Sequence, residues 1–174
     1  RLSLVGSEMC IRDSVSIIMD GNRRFAWSKS SPVGLGHSEG KEKLKEVMDW
    51  VLDLGIPYFT VYALSTENIS EREEDELDVL YDLYVSGLHE ISEDPRIHDR
   101  GVRVQVVGRL GMLPERVRDA ISHAEEVTSQ YSDFTFTVCL AYGGREEIID
   151  AVKSVAIDHA CLLYTSDAAD DLLC

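Results

Sequence analysis

Four short runs rich in β-branched and aromatic residues, at positions 15–19, 58–62, 102–107 and 134–140, constrain the fold of this chain most. Each has the length and composition of a strand. Amphipathic segments separate them. The first carries Leu44, Val47, Met48, Val51 and Leu52 at spacings of three and four, and stops at Gly55 with Pro57 beyond. The second carries Leu77, Leu80, Tyr81, Tyr84, Leu88 and Ile91 behind an acidic first turn. The third follows Pro114 with Val117, Ile121, Ala124 and Val127, and a last helix from about Arg145 carries Ile148, Ile149 and Val152. Strand and helix patterns that alternate in this way predict a single α/β domain with a mainly parallel central sheet flanked by helices. Ligands of such sheets bind beyond the carboxyl ends of the strands. Asp20, Ser65 and Gly143 all fall just after strand candidates, so they are expected to face one crevice.

The first of these points has the most chemical content. Met19-Asp20-Gly21-Asn22-Arg23-Arg24 follows directly on Val15-Ser16-Ile17-Ile18, which reads as a strand running into a tight loop and then a helix opened by two arginines. Gly21 lets the backbone approach a phosphate, and Arg24 offers a planar fork for its oxygens. Asp20 is placed to hold a Mg²⁺ bridging to the same oxygens. An ordinary Asp-Gly-Asn turn is the plain structural reading of the tripeptide.

Further along come Gly36-His37, then Tyr62-Ala63-Leu64-Ser65-Thr66-Glu67-Asn68, then Ala141-Tyr142-Gly143-Gly144-Arg145. In this order and at these separations the four motifs resemble the cis-prenyltransferases, the undecaprenyl and dehydrodolichyl diphosphate synthase family. The form DGNRRFA is similar to the archaeal and eukaryotic branch rather than the bacterial DGNGRWA. The resemblance covers about residues 15–159. It implies a transferase that condenses isopentenyl diphosphate onto an allylic prenyl diphosphate, giving a long polyprenyl diphosphate with cis double bonds. It also implies Mg²⁺ as cofactor, a homodimer, and a product delivered to the membrane from the cytoplasm.

By the same resemblance Asp20 binds the magnesium diphosphate of the allylic substrate, while Gly21, Asn22, Arg23 and Arg24 cradle its phosphates. Phe25 stands where the bacterial branch has Trp, as a lipid-facing or core aromatic. His37, on a flexible Gly34-Leu35-Gly36 approach to a helix, would lie near the diphosphates; a capping or surface histidine is the alternative. Ser65, Glu67 and Asn68 match the loop that assists condensation, with Asn68 as a catalytic candidate. Their plain reading is helix capping. The chain departs from the family at Val33, where bacterial members carry arginine, and at Ile69, where an aromatic is usual. The expected arginine is displaced to Arg72, with Glu71 in its place. Glu71, Glu73, Glu74, Asp75 and Glu76 read as a solvated first turn favoured by the helix dipole, not as a metal cluster. Gly143-Gly144-Arg145 reads as a turn into a helix.

Both ends look foreign to the gene. Residues 161–166, Cys-Leu-Leu-Tyr-Thr-Ser, can be encoded as TGT CTC TTA TAC ACA TCT. The reverse complement, preceded by G and read in a shifted frame, encodes Glu-Met-Cys-Ile-Arg-Asp, which is Glu8 to Asp13. Residues 1–14 and 161–174 are therefore expected to derive from a sequencing adaptor, leaving 15–160 as a partial domain. The family's later RxSGExRxSNF-like segment, which holds isopentenyl diphosphate, has no match, so condensation by this chain alone is not expected.

Three of the four cysteines lie in those ends, leaving Cys139 and no disulfide framework. The formal charge of −15 stays strongly negative once the C-terminal aspartates are set aside. An acidic surface of this kind excludes nucleic acid as a partner. No apolar run reaches the roughly 20 residues of a membrane span, and a cytoplasmic location, at most peripheral to the membrane, is expected. Two other classes stay open: a non-catalytic partner subunit of a heteromeric cis-prenyltransferase, and a generic phosphate-binding α/β module. The intact Asp20–Arg24 loop argues against the first. The lack of a GxGxxG or GxxxxGK[ST] pattern argues against the second.

Overall fold

The computed structural model describes residues 13–170, with backbone only at Val33 and residues 158–170. The adaptor-derived readings for 1–12 and 171–174, and the consequence of Val33 for phosphate contact, lie outside what is described. Four strands form one sheet: β1 (Ser14–Ile18), β2 (Tyr58–Tyr62), β3 (Val102–Val107) and β4 (Phe134–Cys139), in the order β1-β2-β4-β3. All three pairings are parallel, so the expected α/β class holds. The helices are α1 (Asn22–Ser28), α2 (Val33–Asp53), α3 (Thr66–Glu71), α4 (Glu74–Glu93), α5 (Pro95–Asp99), α6 (Glu115–Thr128) and α7 (Gly144–Asp170).

The period-two pattern of the strands sorts the sheet into two faces. Phe59 and Val61 of β2, Val102, Val104 and Val106 of β3, and Phe136 of β4 are buried on one of them. Phe59 and Phe136 are register partners and their rings stack with centroids 5.4 Å apart. Met48, Val51 and Leu52 of α2, Leu77, Leu80, Tyr81 and Leu88 of α4, and Val117, Ala120, Ile121 and Ala124 of α6 join those side chains in one core. The opposite face carries Ser16, Tyr58, Thr60, Tyr62, Thr135 and Thr137, all exposed or half-buried.

Strand β3 sits at the edge of the sheet, where outward N–H groups would otherwise lack partners. α6 supplies them. The Val104 amide donates to Thr128 Oγ1 at 3.0 Å, and the Val106 amide donates to Glu125 Oε1 at 2.8 Å.

One expectation needs correction. The first long helix does not wait for Leu44. It begins at Val33 after Pro32, and Gly34, Gly36 and Gly40 lie within it. The glycines are there for packing: a Cβ on Gly36 would collide with the backbone carbonyl of Asn22, and one on Gly40 would lie 2.8 Å from the Asn22 side-chain amide. Helices α1 and α2 therefore cross at a distance that only glycine permits. The last helix continues past His159 to Asp170, and its Ile148, Ile149, Val152, Val155 and Ile157 are exposed.

Candidate active site

A cavity of about 380 Å³ lies between the apolar sheet face and helices α2 and α4. Its deep walls are Leu44 and Met48 of α2, Leu80, Leu83, Tyr84, Leu88 and Ile91 of α4, Val61 and Ala63 around β2, and Phe136, Val138 and Leu140 around β4. Tyr84 adds no free polar group, because its hydroxyl donates to the Ala63 carbonyl at 3.2 Å and burial pushes its pKa up. Beyond the end of β1 the lining changes character: Asp20, Gly21, Asn22, Arg23, Arg24, His37 and Arg72 border the same cavity. The arrangement is an apolar slot with a cationic entrance.

Local geometry explains the entrance. Gly21 has φ +94°, a left-handed turn that suits glycine, and starts α1 directly after β1. Arg24 Nη2 lies 2.9 Å from Asp20 Oδ2, and both side chains are largely exposed. His37 is buried on α2, its Nε2 facing Glu76 Oε1 at 3.3 Å and Arg72 Nη1 at 3.5 Å. Burial is the main reason its pKa is lowered, opposed by the hydrogen bond with Glu76 and reinforced by Arg72. It is therefore neutral near pH 7. Arg72 Nη1 donates to Glu76 Oε1 at 2.6 Å, and Arg23 Nη2 lies 3.6 Å from Glu76 Oε2.

The structure thus brings together Asp20, Gly21, Asn22, Arg23, Arg24 and His37, and leaves others out. Ser65, Glu67 and Asn68 do not line the cavity. Ser65 Oγ accepts the Asn68 amide at 3.0 Å as the N-cap of α3, so the capping reading describes its contacts. The Asn68 carbonyl accepts the Arg72 amide, and Glu67 is exposed. Phe25 does not line the cavity and is not part of the core. It is 42% exposed with Lys29 over its ring, and Trp27 borders the cavity in its place. His37 does not sit on a flexible approach but inside α2.

Sequence reasoning also missed several groups. Glu76 does not share the solvent exposure expected of its acidic neighbours; its side chain is 14% exposed and meets three cationic or imidazole groups. The i to i+4 spacing from Arg72 was the available signal. Lys41 and Lys45 of α2 line the cavity wall and both pair with Glu90 of α4, at 2.5 and 2.7 Å. Those two lysines hold the Glu90 carboxyl below its usual pKa.

These features match known proteins. The prenyltransferase family model, described as undecaprenyl diphosphate synthase, matches residues 18–172. The chain belongs to that family. Similar relatives include a "tritrans,polycis-undecaprenyl-diphosphate synthase (geranylgeranyl-diphosphate specific)" of Pyrococcus horikoshii, 49% identical over 144 residues, which are 83% of this chain and 54% of that protein. The protein of the same name from Methanopyrus kandleri is 50% identical over 148 residues, 85% of this chain and 54% of its own. Among solved structures, lavandulyl diphosphate synthase from Lavandula x intermedia in complex with dimethylallyl diphosphate is 32% identical with a TM-score of 0.79, covering 85% of this chain and 63% of that one. The chain spans about half the length of the curated relatives it matches.

Mg²⁺ fits the undecaprenyl synthase-like entrance in one way only. Among the described residues no three His, Cys, Asp or Glu side chains gather as a cage. Mg²⁺ commonly uses one or two carboxylates together with substrate phosphates and water. The exposed Asp20 carboxylate at the cavity entrance suits an ion that arrives with a diphosphate.

Proposed function

We propose that this chain carries the allylic-substrate site of a cis-prenyl chain-elongating transferase. One observation carries the reading: a cavity lined mainly by aliphatic and aromatic side chains, with Lys41 and Lys45 of its wall paired to Glu90, also borders Arg23, Arg24, Arg72 and Asp20 beyond the end of β1. That polarity matches a prenyl diphosphate, with its tail in the slot and its head at the arginines. The names of the archaeal relatives support geranylgeranyl diphosphate as the allylic primer.

In the proposed reaction the C1–O bond of the allylic diphosphate breaks and the diphosphate leaves. The double bond of isopentenyl diphosphate attacks C1, and a proton is lost from its C2 to form the new cis double bond. The arginines hold the developing negative charge where it forms. Mg²⁺ bound with the diphosphate at Asp20 would supply further charge neutralisation. Neutral His37 offers a hydrogen-bonding ring without adding a permanent charge. Ser65, Glu67 and Asn68 serve by ordering the turn that delivers Arg72. The exposed apolar stripe of α7 supports self-association as a homodimer. No described helix is long and apolar enough to cross a membrane.

The test is incorporation of radiolabelled isopentenyl diphosphate by these residues carried in a chain of the relatives' full length. Incorporation that needs both geranylgeranyl diphosphate and Mg²⁺, and that is lost in Arg24→Ala, is expected. Incorporation indifferent to the allylic primer would contradict the reading.

A further inference from the structure

Glu76 presents a problem that the substrate reading does not solve. A site meant for a diphosphate has a carboxylate of its own set among its cations. Glu76 Oε1 lies 2.6 Å from Arg72 and 3.3 Å from His37, and Oε2 lies 3.6 Å from Arg23. Among the described residues neither Arg23 nor Arg72 meets another carboxylate at ion-pair distance. Yet Glu76 is not part of the cavity wall, whereas all three of its partners are. It stands behind them. Arg72 Nε is buried without a hydrogen-bond partner, so this guanidinium keeps donor capacity that Glu76 does not use.

We propose that Glu76 is a positioning residue and an internal counter-anion, one that weakens the hold of the entrance on diphosphate so that it is released after each addition. The inference rests on the transferase reading of this site. An enzyme that adds many units must expel one diphosphate per cycle, and Arg23 and Arg72 without compensation would help to retain it. Glu76 holds Arg72 and Arg23 in place from behind while cancelling one unit of their charge. Charge, rather than shape, separates this role from a purely structural one. Glu76→Gln keeps the size and removes the charge; if Glu76 only props up Arg72, the variant should bind anions more weakly.

The experiment is calorimetric titration of inorganic pyrophosphate, with and without Mg²⁺, into the wild-type chain, Glu76→Gln and Glu76→Ala, with circular dichroism to compare folding. Removing one negative charge a few ångströms behind the entrance should tighten pyrophosphate binding about tenfold. Both variants should move in that direction, and the Ala variant serves if the Gln variant folds poorly. Equal or weaker binding by folded variants, with wild type binding normally, overturns the counter-anion role and leaves the transferase reading standing. Absence of pyrophosphate binding by wild type overturns both.

Discussion

Replacing Gly36 by alanine should destabilise this protein, although alanine is the better helix former. Gly36 lies within α2 and is buried where α1 crosses it. An added Cβ would strike the Asn22 backbone carbonyl and come to 3.0 Å from the Ala26 Cβ. Neither is the end of a flexible side chain, so α1 must move. Overpacking of this kind costs about 1–3 kcal/mol, and the gain in helix propensity returns up to about 1 kcal/mol. A net loss of about 1–2 kcal/mol should lower the melting temperature by roughly 2–8 °C in a chain of this size. Gly87 supplies the control. It also lies within a helix, α4, but the nearest atom to its added Cβ is Lys41 Cε at 3.9 Å. Gly87→Ala should therefore stabilise by about 0.5–1 kcal/mol. Thermal melts followed by circular dichroism measure both. Arg23 and Arg24 of α1 and His37 of α2 border one cavity, so Gly36→Ala should weaken pyrophosphate binding as well. If Gly36→Ala melts at or above wild type, the two helices do not depend on the glycine and the packing argument is wrong.

Other consequences can be checked separately. Asp20→Ala should reduce Mg²⁺-dependent prenyl transfer at least about 10²-fold while leaving the melting temperature unchanged; wild-type incorporation of isopentenyl diphosphate would remove Asp20 from the site. Ala63→Leu adds bulk to the cavity wall and should shorten the products or slow elongation, read by chromatography of the chain lengths. Thr128→Val leaves the Val104 amide without its acceptor and should cost about 1–3 kcal/mol in urea unfolding. The lowered pKa of His37 means that the unfolded chain takes up its proton first as pH falls. Its contribution to stability is then complete above its ordinary value of 6.5 and is lost as pH falls through the lower folded value. Melts between pH 7.5 and 5 should show a steeper decline for wild type than for His37→Gln, and parallel declines would refute the assignment.

The sheet and its main helices were legible because their periodicities are strong. β2 and β3 alternate cleanly, and the stripes on α4 and α6 recur at three and four residues. The start of α2 was not, since Gly34, Gly36 and Gly40 lower helix propensity and reveal their purpose only when Asn22 is packed against them. The Asp20–Arg24 loop could be found from the strand that precedes it and the charges it carries. Glu76 could not, because four acidic neighbours share its stretch and only tertiary packing distinguishes it. Phe25 and Trp27 lie two residues apart on a short helix, and which of them turns toward the cavity depends on how α1 docks on α2. Ser65 carried two readings of one signal, and its Oγ accepts the Asn68 amide as the cap reading expects.

The central claim is that one cavity takes the head and the tail of a prenyl diphosphate together. Titration of a series of allylic diphosphates of increasing length, in Mg²⁺, tests it most directly. Burial of each added isoprene unit in the apolar slot should improve affinity by about tenfold or more until the cavity is filled, and Arg24→Ala should weaken every member by a similar factor. Affinity independent of chain length, or set by chain length with no effect of Arg24, would contradict the account.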